Sequence, residues 1–221
     1  VTVDNQMMSV LLQSVGESFQ MMIFGTIFAY VLGLPMGILL VVTAKDGIRP
    51  NIVVYKVLDV IVNITRSVPF LILLVTIMPF TRMVVGTTIG TKATIVSLVV
   101  SAAPFVARLV ESSIQEVDRG IIEAAQSMGA GTFQIIYKVM LPEARPSLIV
   151  NAAIAAATIL GYSAMAGFVG GGGLGTVAIN YGYQRGQTDI MIITVILLVV
   201  IVQVFQSIGM KLARVLDRRK E

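Results

Sequence analysis

Near-continuous apolar runs separated by short polar breaks set the pattern of this chain. The first run covers residues 18–43, longer than the apolar part of a signal peptide and long enough to cross a bilayer with some tilt. A break with Lys45, Asp46, Gly47, Arg49 and Pro50 follows. The second run, 53–80, is interrupted by Asp59, Arg66 and Pro69. Its charge-free part, 67–80, is too short to cross alone, which puts Asp59 and Arg66 inside the membrane or at its rim. A link at 81–92 with Gly86 and Gly90 leads to a third span at 93–110. The fourth covers 148–168 and the fifth 190–210. Between them lie the glycines Gly167, Gly170, Gly171, Gly172, Gly173 and Gly175 and a polar outer segment at 180–189. The pattern predicts an all-α membrane protein, residues 1–221 forming one transmembrane domain with five transmembrane helices.

The stretch 111–146 differs in kind, because Glu111, Glu116, Asp118, Arg119, Glu123, Lys138, Glu143 and Arg145 are interleaved with apolar residues. Residues 118–128 read as a short amphipathic helix with Ile121, Ile122, Ala125 and Met128 on one face. Gly129 and Gly131 supply a break and Thr132 a new N-cap. Phe133, Ile136, Tyr137 and Met140 form a second stripe before Pro142. Amphipathicity alone leaves two readings: a lever whose apolar stripe fills a soluble partner's groove, or an interfacial helix lying on lipid headgroups.

Composition agrees with the membrane reading. Of the 221 residues 56% are hydrophobic and 13% charged, with a mean hydropathy of +0.90, whereas soluble domains are about 25% charged. The net charge of +4 and pI near 9.5 do not point to nucleic acid, because the Lys and Arg residues sit in small clusters beside apolar runs. Twelve of them (Lys45, Arg49, Lys56, Arg108, Arg119, Lys138, Arg145, Lys211, Arg214, Arg218, Arg219 and Lys220) fall on one face, and only Arg82, Lys92 and Arg185 on the other. The positive-inside rule then places the N-terminus outside, and the 111–146 loop and the tail in the cytoplasm. Residues 1–17 contain Asp4 and Glu17 but no base, so no signal peptide is expected there. The absence of Cys and His removes disulfides, thiolate nucleophiles, iron–sulfur clusters, imidazole bases and the common zinc sites. No metal and no cofactor is expected.

Glu123-Ala124-Ala125, Gly129 six residues after the glutamate, and Leu141-Pro142 twelve residues after that glycine resemble the EAA loop of bacterial ABC-importer permeases. The resemblance covers residues 18–214. Ile64-Thr65-Arg66-Ser67-Val68-Pro69-Phe70, Met78-Pro79-Phe80-Thr81-Arg82, Ala102-Ala103-Pro104-Phe105-Val106-Ala107-Arg108 and Gly161-Tyr162-Ser163-Ala164-Met165 are most similar to the methionine-import branch. What it implies is a type I ABC importer permease architecture in the bacterial inner membrane and a homodimer with the pathway between its copies. Two ATP-binding subunits would grip the loop, an external binding protein would deliver methionine, and ATP hydrolysis would belong to the partner. Glu123, Ala124, Ala125, Gly129, Leu141 and Pro142 would then couple the permease to the ATPase, with another amino acid or a small osmolyte as the alternative cargo.

Other motifs carry less. Gly170, Gly172 and Gly175 satisfy G-x-G-x-x-G but follow an apolar span and not a strand, and Gly86 to Ala93 lacks the spacing and ending of a P-loop. Ser163 has no His or membrane-depth Lys to activate it, which argues against an intramembrane hydrolase. No catalytic residue is therefore expected. The glycine cluster either permits close helix approach or gives flexibility for gating. Asp59 and Arg66 lie on nearly one helical face, where they form a structural pair, or Arg66 snorkels to the interface, or they contact the substrate in the pathway. Tyr162 and Met165, three apart in a small-residue segment, either close the pathway at the dimer axis or pack within one subunit.

Overall fold

The computed structural model describes residues 5–216, and every regular element among them is helical. The helices are α1 (Asn5–Thr43), α2 (Ile52–Ser67), α3 (Phe70–Thr76), α4 (Met78–Val85), α5 (Thr91–Gln115), α6 (Arg119–Ser127), α7 (Thr132–Ile135), α8 (Leu141–Ala166), α9 (Gly173–Val177) and α10 (Thr188–Leu216). Asp4, Arg218, Arg219 and Lys220, used above for the N-terminus and the orientation, lie outside the described residues. Four stretches are long and apolar enough to cross a membrane: α1, α5, the helical stretch Thr132–Tyr183 and α10. A fifth is formed if α2 and α3 count as one span broken by a bend of 103°.

The break follows from Pro69. Its ring pushes the preceding residue out of the helical region, and Val68 is extended at φ −81°, ψ 124°, so α2 stops and the chain turns. The link expected at 81–92 is partly helical, because α4 runs to Val85 before Gly86, at φ +79°, ends it in the left-handed conformation.

Three other boundaries differ from the hydropathy pattern. Helix α1 starts at Asn5, well before residue 18, since Met7, Val10 and Leu11 pack with Val177 and Ile190 of α9 and α10. Helix α5 continues to Gln115, so Glu111 belongs to a span and not to the loop. Pro142 does not end a helix; α7 passes through a π-helical turn, Ile136–Met140, into α8. The Leu141 N–H donates to Ile136 O five residues back, and this wider turn admits a proline that has no N–H to give.

The core lies between α1, α5 and α8, where Met21, Leu98, Val106, Val110, Ile114 and Ile159 are buried. Small residues bring α1 and α5 into backbone contact. A Cβ on Gly33 would lie 2.7 Å from Ala103 O, and one on Gly37 2.6 Å from Ala107 O, a matched four-residue spacing on both helices.

Candidate functional site

Helix α6 is capped by Asp118, whose carboxylate accepts from Gly120 N at 2.6 Å. It ends at Gly129, φ +82°, where the Gly129 N–H donates to Gln126 O at 2.9 Å and the Ala130 N–H to Ala125 O at 3.1 Å. A Cβ at Gly129 would meet nothing within 4 Å, so the backbone conformation and not crowding calls for glycine. The next helix is capped by Gly131 and not by Thr132, which is its first residue. The Gly131 N–H is satisfied by the Gln134 side chain at 3.1 Å.

The two apolar stripes divide. Ala125 is buried and Ile122 half-buried, whereas Ile121 and Met128 are exposed. Ile135 and Met140 are buried while Phe133 and Tyr137 stand in the open, stacked on each other at 6.2 Å. The π-helical turn shifts the register between Phe133 and Met140 and takes them off a common face. Glu123 and Ala124 are exposed, and Glu123 borders a cavity of about 590 Å³ shared with Lys45, Asp46, Arg119 and Gln126. Leu141 and Pro142 form the first turn of α8.

At the other end of α8, Tyr162 lies flat against Phe70 of α3, ring centroids 4.8 Å apart and planes 4° from parallel. Met165 is exposed one turn further on, and Ser163 is buried with its hydroxyl donating to Leu160 O at 2.8 Å. The glycines after α8 pack tightly. A Cβ on Gly167 would strike the backbone of Gly175, and one on Gly175 the backbone of Ala164. Helix α9 is held from outside, with the Gly173 N–H donating to Glu17 at 2.7 Å and the Leu174 N–H to the Ser18 hydroxyl at 2.9 Å. The Thr94 hydroxyl donates to Gly171 O at 3.0 Å. Close approach is thus the use to which this cluster is put, and no strand precedes it among the described residues.

Asp59 and Arg66 do not meet. Seven residues of helix separate them by about 10 Å along the axis, and Asp59 instead pairs with Arg108 of α5. Arg66, exposed at the end of α2, makes no ion pair among the described residues. The Arg108 cluster is the feature the sequence did not yield, because its members on α2 and α5 lie far apart along the chain and no spacing rule connects them.

Among solved structures, a MetNI methionine ABC transporter in inward-facing conformations aligns with a TM-score of 0.96 and 46% identity, covering 97% of this chain and all of the other. A probable D-methionine transport system permease of Vibrio cholerae is 50% identical over 95% of this chain and 93% of its own length. The methionine import system permease of Bacillus subtilis is 43% identical, with 82% of each chain covered. Residues 29–221 match the family model for the inner membrane component of binding-protein-dependent transport systems, and this helical chain belongs to that family.

Proposed function

We propose that the chain is the membrane-spanning permease subunit of an ATP-driven importer of methionine, forming the path by alternating access between two copies of itself. The observation that carries this reading is the TM-score of 0.96 with a methionine ABC transporter over 97% of the chain, at an identity of 46%. Two ATP-binding subunits supply hydrolysis, and an external binding protein delivers the substrate. The chain itself is no enzyme. Its inner-membrane placement follows from the family, and the bias of basic residues supports an N-terminus outside and the 111–146 region inside.

In this reading Glu123, Ala124, Ala125 and Gly129, with Leu141 and Pro142 at the start of α8, couple the permease to the ATPase. What supports it is an exposed helix held between two spans by a cap and a glycine turn, which transmits a push without bending. Tyr162 and Met165 with Arg66 border the pathway. The support is the Phe70–Tyr162 stack, by which the broken span meets α8, with Arg66 four residues before Phe70 in the chain and Met165 three after Tyr162.

Proteoliposomes holding the permease with its ATPase subunits test the reading. ATP inside and loaded binding protein outside are expected to drive labelled methionine inward, in preference to other amino acids. Uptake of a different amino acid with methionine ignored would overturn the substrate. Met165→Ala is expected to leak methionine without ATP; a sealed vesicle with normal coupling would remove Met165 from the pathway. In intact cells an impermeant thiol reagent is expected to label Arg185→Cys and spare Lys138→Cys, and the reverse would invert the orientation.

A further inference from the structure

Helix α2 is weakly embedded for its length. Of its 16 residues only Val62 is buried, with Tyr55 and Leu58 half-covered beside it. What holds it specifically is polar. One nitrogen of the Arg108 guanidinium, Nη2, donates to Asp59 Oδ1 and, at 2.9 Å, to Asn63 Oδ1, so that α5 clasps two successive turns of α2. The other, Nη1, donates at 2.7 Å to Glu111 in its own helix, and the Gln115 amide donates to the second Glu111 oxygen at 3.4 Å. The three charged side chains are between 10% and 29% exposed. Charges this far withdrawn from solvent are costly to separate, and a cation clasped by two carboxylates and an amide stays closed.

The position of this clasp gives it a task. Helix α8, which carries Tyr162, continues from α7 and so moves directly with the loop. Helices α2 and α3, which carry Phe70, have no such chain connection to the loop. Helix α5 does, through residues 116–118, where Val117 is buried. A displacement of α6 therefore travels along α5 and reaches the broken helix both through the direct packing of α3 on α5 and through whatever fastens α5 to α2. We infer that Arg108 is a positioning residue: by clasping Asp59 and Asn63 it makes the broken helix follow the coupling loop, so that both faces of the Phe70–Tyr162 stack move together. The inference rests on the transport reading above.

Cutting the clasp from the α2 side tests it. Asp59→Ala combined with Asn63→Ala leaves Arg108 paired with Glu111, so no charge is stranded. The variant is purified with its ATPase subunits, and methionine carried per ATP hydrolysed is measured in proteoliposomes beside the unaltered complex. The expected result is normal assembly and continued hydrolysis with the transport ratio reduced about ten-fold, the scale of a typical coupling between sites. Asp59→Asn, which keeps an acceptor for Arg108, is expected to restore most of the ratio. An unchanged ratio in the double variant overturns the inference. Loss of assembly overturns it too, because the clasp would then serve the fold and not transmission. If the unaltered complex carries no methionine, the substrate reading fails by itself, and the same ratio is taken with the amino acid that is carried.

Discussion

At the end of the molecule where α8 runs into α9, neighbouring segments meet through backbone: Gly167 lies on Gly175, Gly175 on Ala164, and the Gly90 N–H donates to Gly170 O at 2.9 Å. At the end bearing α6, α8 is joined to α5 by side chains that reach across. Asn151 of α8 donates to Ser113 of α5 at 2.7 Å and to Leu109 O at 3.2 Å. Ser147 adds bonds to Ser113 and Glu116, each 3.1 Å long. Backbone contact has no slack, because neither partner has a rotamer to change. Side-chain bonds can exchange partners while the helices slide. The glycine end is therefore built to keep its geometry, and the loop end to change its own without losing satisfied polar groups.

The sharpest way to break this comparison is a single methyl group at the glycine end. Gly175→Ala places a Cβ against the carbonyl, Cα and carbonyl carbon of Ala164, none of which can rotate away. A destabilisation of about 3 kcal/mol is expected, the upper part of the usual range for overpacking, and it is read as a fall in the melting temperature of the purified permease. An unaltered melting temperature would mean that this end has slack after all.

Gly129→Ala is the matching change at the loop end, and its expected effect is smaller. No atom lies within 4 Å of the new methyl group, so only the left-handed conformation at φ +82° resists it, at about 1 kcal/mol. Gly129→Val adds β-branching at the same φ and is expected to lower uptake and ATPase stimulation while insertion continues. Normal uptake by that variant would remove the turn from the coupling path. Equal losses for Gly175→Ala and Gly129→Ala would erase the distinction between the ends.

How far the sequence foretold these features depends on the range of the interaction involved. The spans, the break at Pro69 and the turn at Gly129 come from local chemistry: apolar length, the steric demand of a proline and the freedom of a glycine. The start of α1 at Asn5 was not legible, since Met7, Val10 and Leu11 form helix there against α9 and α10, which lie far along the chain. Pro142 misled because its usual effect is to stop a helix, and here a π-helical turn absorbs it. For the candidate site, an arginine and an aspartate interrupting an apolar run pointed to charge among the packed helices, and Asp59 is indeed partly buried there. Asp59 and Arg66 shared a helical face by spacing, but partner choice was settled by the packing of α2 on α5, which no periodicity encodes.

The smallest expected effect sharpens the loop end. Asn151→Ala removes two bonds, yet Ser113 keeps its contact with Ser147, and the Leu109 carbonyl still has the helix ladder of α5. In membranes such inter-helix bonds contribute about 0.6 kcal/mol on average, because the separated helices also find polar partners. A loss of that order is expected, well below the Gly175→Ala value, and chemical or thermal unfolding of the two variants side by side measures it. The contrast follows from what each change leaves behind: Asn151→Ala leaves groups that can turn to a neighbour, while Gly175→Ala leaves an overlap that only a moved backbone relieves. If Asn151→Ala proved as damaging as Gly175→Ala, the α5–α8 bonds would be fixed struts, and the loop end could not be the adjustable one.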